Sequence, residues 1–183
     1  MVTITKRLTA ADLILFELNA DDFEILDGEL KERKTGGGLH GRIGFGIGHH
    51  LGLHVFPHNL GRLYTSDTGF VIVEDPLTVL RPDVAFVRED RLRPGMEDRG
   101  FMPLVPDLVV EVVSPGDRTI EIGAKDDQYR RAGVPLLWLV DPRARTITVY
   151  QPDRPPLVLD EDDELDGGDV LPGFRLAVRD IFP

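Results

Sequence analysis

The stretch Asp107–Val113, "DLVVEVV", sets one glutamate between two pairs of valines. A run this apolar reads as a strand buried on both faces, the pattern of a sheet covered by other layers. An ionised carboxylate in such a strand carries a large desolvation cost unless something pairs with it. Glu111 therefore needs a partner, or the strand is less buried than its pattern.

The segments that follow frame this strand. Ser114-Pro115-Gly116 ends it. "DRTIEIGAKDDQYRRAG" (117–133) reads as a helix, with Asp117 as its cap and Gly133 as its stop. "PLLWLVD" (135–141) is a second buried strand, in which Trp138 is a core residue; residues 141–145 turn the chain and "TITVYQ" (146–151) returns as a hairpin partner. Upstream, "GFVIVED" (69–75) and "TVLRPDVAFV" (78–87) read as strands, and residues 88–100 as a polar loop. "FEILDGELKER" (23–33) places two strand-like arms around Asp27-Gly28, a dipeptide favoured in two-residue hairpin turns. Near the start, Thr9 and Asp12 have the spacing of a capping box and predict a short helix. Residues 34–58 are ambiguous. Ile43, Phe45 and Ile47 alternate as on a strand, while Ile43, Ile47 and Leu51 recur as on a helix. The glycine-rich helix is the preferred reading. Strands first, then strand–helix–strand, predict one α/β domain over residues 1–183 with a mixed sheet.

Composition narrows the function classes. Hydrophobic residues make up 42% of the 183, enough for a core. No stretch approaches the ~20 apolar residues of a membrane span, and the first residues carry no cleavage signal. No membrane partner is expected. The chain has no cysteine, which excludes disulfides and thiolate metal sites and makes the cytoplasm the default location. The formal net charge of −11 excludes a generic DNA-coating protein, because affinity for duplex comes largely from phosphate neutralisation. Seven of the acids lie in "DEDDELDGGD" (160–169), read as a solvated loop whose spacing does not match an EF-hand.

Asp83 lies, like Glu111, inside an apolar strand-like run. Two such carboxylates have a joint explanation if they share a cation. Mg²⁺ takes one or two carboxylates and keeps water, which leaves room for phosphate oxygens. Glu29, just after the hairpin turn, is a candidate third ligand. Lys125 falls about two turns into the predicted helix, with Gln128 and Tyr129 beside it at i+3 and i+4. A lysine there can stabilise charge on a phosphate or help take a proton from water. The alternative for each carboxylate is a structural, hydrogen-bonded role, and for Lys125 a solvated helix position.

In order, "RPDVAFV", "PDLVVEVVSP", a helix carrying Lys125 and Tyr129, and "AGVPLLWLVDPRARTITVY" resemble the Uma2 family, a group of endonucleases in the PD-(D/E)XK, or restriction-endonuclease-like, superfamily. "LTAADL", "LDGEL" and "GDVLPGFRLAVRDIF" extend the likeness over nearly the whole chain. The resemblance implies an α/β/α core around a mixed central sheet and phosphodiester cleavage with Mg²⁺ or Mn²⁺. It places the acidic motif on Asp83 and Glu111, the "GE" glutamate on Glu29 and the helix lysine on Lys125. His40 matches a histidine often seen in the family; with Gln128 and Tyr129 it is a candidate substrate contact. The wider superfamily often carries its lysine two residues after the second acid, where this chain has Val113. Nucleic acid, DNA first, is the implied partner, and a homodimer is an expectation of the fold class.

The remaining polar clusters carry weaker signals. His50 and His54 have the i, i+4 spacing used in zinc sites, but no third ligand is evident. Arg88, Arg91, Arg93 and Arg99 suit phosphate contacts, yet they alternate with acids and read better as a solvated loop. Two rival functions remain at this point. One is a regulatory or interaction module that keeps the fold without turnover. The other is a carboxylate-pair hydrolase of another class, such as a glycosidase.

Overall fold

In β8 (Leu108–Val112), Leu108, Val110 and Val112 face one hydrophobic cluster while Val109 faces another. The strand is thus covered on both sides, and Glu111 lies on the Val109 side. The computed structural model describes residues 7–13, 23–33, 36–98, 100–114 and 119–183. The hairpin strands β1 (Phe23–Leu26) and β2 (Glu29–Glu32) are followed by helix α1 (Gly38–Val55). Strands β3 (Gly61–Thr65), β4 (Gly69–Glu74), β5 (Leu77–Leu80), β6 (Val84–Arg88) and β7 (Phe101–Met102) lead to β8. Helix α2 (Thr119–Arg131) crosses over to β9 (Leu136–Asp141), and β10 (Thr146–Tyr150), β11 (Leu157–Leu159), β12 (Glu164–Asp166) and β13 (Arg175–Ala177) complete the chain.

Six strands form one mixed sheet in the order β11-β10-β9-β8-β6-β3, with β8 and β9 parallel and the other pairs antiparallel. The parallel pair is the one bridged by α2, as a strand–helix–strand crossover requires. A second sheet, β2-β1-β5-β4-β7, packs against it. Ile43, Ile47, Leu51 and Val55 of α1 cover one face of the six-stranded sheet with Phe174, Leu176 and Val178. On the other face, Tyr129 of α2 meets Val109 and Leu137 together with Phe70, Ile72 and Leu80 of the second sheet. The fold is α/β with helices on both sides of a mixed sheet, as expected, and the second sheet is an addition to that expectation. Among the described residues, no helix is long and apolar enough to cross a membrane.

Several local readings are corrected. "TVLRPDVAFV" is not one strand. β5 belongs to the second sheet and β6 to the first, and Arg81-Pro82-Asp83 is the corner between them. Proline has no N–H for a ladder, so the chain changes sheets there. The acidic stretch is not all loop: Glu164–Asp166 forms β12, paired with β13, and Leu165 is fully buried. The hairpin turn at Asp27-Gly28 holds, with positive φ at both residues (51° and 80°), as a type I′ turn demands. At the start of the chain the structure describes a single 3-10 turn at Ala10–Asp12; the rest of the helix expected there, and the Asp117 cap, lie outside the described residues. Trp138 is fully buried and stacks on Phe174, as its strand pattern predicts.

Candidate active site

The register of the two strands brings the acids together. Val84 pairs with Val110 across β6 and β8, so one step further Asp83 stands opposite Glu111. Directly opposed residues in an antiparallel pair share a face. Asp83 accepts the backbone N–H of Val112 at 2.8 Å, and His40 Nε2 lies 3.1 Å from the same oxygen, Oδ2. The glycines of α1 allow that approach. His40, Gly44 and Gly48 recur at i, i+4; a Cβ on Gly44 would stand 4.0 Å from the Asp83 Cβ, and one on Gly48 3.8 Å from Val84. The helix therefore lies close over the start of β6.

Helix α2 supplies the partners that Glu111 needs. Lys125 Nζ lies 3.2 Å from Glu111 Oε1 and 3.3 Å from Oε2. Tyr129, one turn on and fully buried, donates its hydroxyl to Oε1 at 2.7 Å. The same ammonium lies 3.0 Å from Oε1 of Glu24, whose carboxylate also accepts the Arg81 N–H at 2.9 Å. Glu24 sits on β1 between Phe23 and Ile25, which face away into a third cluster, so its side chain turns inward between the sheets.

The electrostatics are lopsided. Glu24 and Glu111 share the Lys125 ammonium, while Asp83, opposite Glu111 on the neighbouring strand, has His40 beside it. Burial pushes the Glu111 carboxyl up to about 7; the Lys125 charge pulls against it, Asp83 and Glu24 add to the rise, and the Tyr129 hydroxyl opposes them. For Lys125, burial works against the charge, but Glu111 and Glu24 outweigh it and hold the ammonium above its ordinary pKa. The lysine stays protonated, so it serves as a fixed cation and not as a base. The hydroxyl of Tyr129 is likewise held well above its usual range, by burial first and then by Glu111.

Other expected site residues fall elsewhere. Glu29 is on the exposed strand β2, where its side chain is 60% accessible and pairs with Lys31 at 2.7 Å. The structure brings Glu24 to the lysine and leaves Glu29 at the surface. Gln128 is buried and donates to Asp27 Oδ1 at 2.9 Å, which ties α2 to the hairpin turn. Tyr129 and Gln128 thus hold protein groups in place and do not face solvent. Among the described residues no group of three His, Asp or Glu side chains forms around His50 and His54, and His54 Nε2 lies 3.2 Å from the Pro172 carbonyl. Arg91 pairs with Asp107 at 2.9 Å, and Arg88 pairs with Asp90, which fits a mixed-charge loop. Glu24 could have been found in the sequence. In "FEIL" it shows the mark of Asp83 and Glu111, an acid embedded in apolar strand residues, whereas Glu29 sits in the polar run "ELKE".

The donor set suits a hard divalent ion. Its oxygens come from the Asp83 and Glu111 carboxylates, which stand opposite each other on neighbouring strands, and the Asp83 charge adds to the cost of ionising Glu111. Among the described residues, no three His, Asp or Glu side chains close into a preformed metal centre. Mg²⁺ does not require one, since it is commonly held by one or two carboxylates, with water and phosphate oxygens completing its shell.

The family model for Uma2, described as "Putative restriction endonuclease", matches residues 11–179. The chain belongs to the Uma2 family. A crystal structure of a putative nuclease of the DUF820 family from Anabaena variabilis superposes on this Uma2 chain with a TM-score of 0.77 at 20% identity, covering 87% of this chain and 89% of the other. That likeness shows the shared restriction-endonuclease-like fold. No curated protein matches the chain. Within this Uma2 member, the site assembles from β1, the corner before β6, β8 and α2.

Proposed function

We propose that the protein is a divalent-cation-dependent endonuclease that hydrolyses phosphodiester bonds of nucleic acid, with DNA the first substrate to test. The observation that carries this reading is the placement of Asp83 against Glu111, with Lys125 held between Glu111 and Glu24. A cluster so rich in buried negative charge is relieved by a cation. Asp83 and Glu111 would hold Mg²⁺ or Mn²⁺, with Glu24 taking the part that the family pattern gives to Glu29. Bound there, the ion would polarise the scissile phosphate and make an attacking water more acidic.

The chain's own groups do the rest. The Val112 N–H and His40 both engage Oδ2 of Asp83 and so orient its carboxylate toward the Glu111 strand. Tyr129 and Val112 hold Glu111 and Asp83 in register, and His40 fixes the Asp83 carboxylate from the α1 side. Lys125, protonated, stabilises negative charge as it develops on the phosphate. Val113 cannot supply the amine that the wider superfamily carries on this strand, and Lys125 brings it from α2 instead. The −11 charge opposes long-range attraction of duplex, so binding is weak and local or is assisted by a partner.

The second reading, a regulatory module without turnover, draws support from the same lysine, because Glu24 and Glu111 already engage it. One experiment separates the two. Single-stranded, duplex and branched DNA and RNA are incubated with the full chain in Mg²⁺, Mn²⁺ or EDTA, beside Glu111→Gln. Metal-dependent cutting that disappears in the variant supports the nuclease. A folded wild type that binds the ion and cuts nothing points to the module.

A further inference from the structure

Helix α1 is apolar on both sides. Its inward face, Ile43, Ile47, Leu51 and Val55, is buried on the sheet. Its outward face leaves Phe45 78%, Leu53 63%, Phe56 61% and Leu39 47% exposed. At 3.6 residues per turn, Arg42, Phe45, His49, Leu53 and Phe56 fall within one arc of about 80° and run about 21 Å along the axis. The Phe45 ring already stacks on His49, with centroids 6.4 Å apart. No Asp or Glu occurs from Arg33 to Ser66, although the chain holds 32 of them.

We propose that this face is the interface of a symmetric dimer, in which α1 packs antiparallel on the α1 of a second copy with the two-fold axis at His49. Three observations select a second copy as the occupant. The stripe is self-complementary: its residues stand at −7, −4, 0, +4 and +7 from His49. Turned end for end, Phe45 meets Leu53 of the partner subunit, and the Arg42 guanidinium lies over Phe56 of the partner subunit. A two-fold contact requires this pairing of i with j and j with i, and the arginine–ring pair adds a cation–π attraction.

The second observation is area. Taking ~200 Å² for a phenylalanine and ~170 Å² for a leucine, the four side chains expose about 450 Å² of apolar surface. A standard interface buries about 800 Å² per partner, roughly 65% of it apolar in homodimers, or about 520 Å². Phe45, Leu53 and Phe56 of the stripe supply about 385 Å² of that apolar share, and Leu39, beside the stripe, adds about 80 Å². The third is charge. Two copies at −11 repel each other, and the acid-free face of α1 lets them meet with the least like-charge opposition. A Cβ on Gly46, at the edge of the stripe, would meet nothing within 4 Å, so a second helix can come close there.

The dimer does not depend on the nuclease reading and leaves the candidate site open. His40, at the N-terminal end of α1, lies about 14 Å along the axis from His49, so the two sites fall at opposite ends of the helix pair.

The test is sedimentation of the full chain from about 1 to 100 µM, which spans micromolar dissociation constants. The wild type is expected to sediment as a dimer, and Phe45→Glu/Leu53→Glu as a monomer with unchanged circular dichroism. The chain has no cysteine, so a single introduced thiol reports the register. Under oxidation, His49→Cys should give a disulfide-linked dimer, since a disulfide needs Cα atoms within about 7 Å. Arg42→Cys, about 21 Å from its own copy across the axis, should not. A wild type that stays monomeric throughout, or a dimer that survives the double substitution, overturns the interface. Equal cross-linking at positions 42 and 49 overturns the register.

Discussion

The hydroxyl of Tyr129 donates to Oε1 of Glu111 across 2.7 Å, inside a cluster where the tyrosine is fully buried. This bond fixes one oxygen of the central carboxylate from the side opposite solvent. Tyr129→Phe keeps the ring and deletes only the donor. Hydrogen bonds to charged groups contribute about 1.5–3 kcal/mol, and Lys125 remains to share the load. The expected loss is about 1–2 kcal/mol in urea denaturation. A roughly tenfold fall in cleavage rate should accompany it, equal to about 1.4 kcal/mol of misplaced transition-state stabilisation. A variant as stable as wild type would mean that the bond does not constrain Glu111.

Asp126, next to Lys125 on α2, is buried, and its Oδ1 has no hydrogen-bond partner among the described residues. Burial raises its carboxyl to about 6, against Lys125 and Arg130, which lower it, and with Asp127, which adds to the rise. The folded state therefore holds the proton more tightly than the unfolded chain, whose aspartate titrates near 3.8. The stability gained from the protonated form is fully present below that value. It is lost as pH climbs through about 6. Relative to Asp126→Asn, the wild type should lose about 1–2 kcal/mol between pH 4 and pH 7, allowing for solvent that still reaches the group. Denaturation midpoints across that range check the sign. A wild type that gains on the variant as pH rises would contradict it.

Two glycines of α1 should respond in opposite ways. Gly41 faces open space, so Gly41→Ala removes the conformational cost of glycine in a helix and should stabilise by about 0.5–1 kcal/mol. Gly44 is buried over Asp83, and a Cβ there would already stand 4.0 Å from the Asp83 Cβ. Gly44→Leu would lift the helix from β6 and carry His40 off Asp83, at a cost of about 1–3 kcal/mol. Chemical denaturation of both variants, with cleavage assays on Gly44→Leu, reads the two effects separately.

The sequence is most legible where local pattern and burial agree. Glu111 and Asp83 announce themselves as acids inside apolar strands, and α1 follows from the Ile43, Ile47, Leu51 spacing despite its glycines. The corner at Pro82 is nearly hidden, because β5 and β6 are both buried apolar strands and only Arg81-Pro82-Asp83 separates them. Strands of two or three residues, such as β7 and β11, carry too little alternation to stand out. The partner of Lys125 on β1 is a hundred residues away, and no period links Glu24 to α2. Only the packing of two sheets does.

The exchange of Glu29 for Glu24 gives the sharpest test of the site. Glu29 follows the turn in the family's pattern, but its side chain is exposed and its contact is the surface ion pair with Lys31, of a kind worth about 0–1 kcal/mol. Glu24 is buried against the ammonium that also serves Glu111. Glu24→Gln keeps the size and removes one of the charges that anchor Lys125, so the lysine should lean further onto Glu111 and the cation site should weaken. The expected result is a 10- to 100-fold fall in rate, about 1.4–2.7 kcal/mol, with divalent-ion affinity reduced in calorimetry. Glu29→Gln should leave rate and affinity within about twofold, since it breaks only an exposed pair. The opposite ranking would return the third carboxylate to Glu29 and would require β2 to move toward the site when nucleic acid binds.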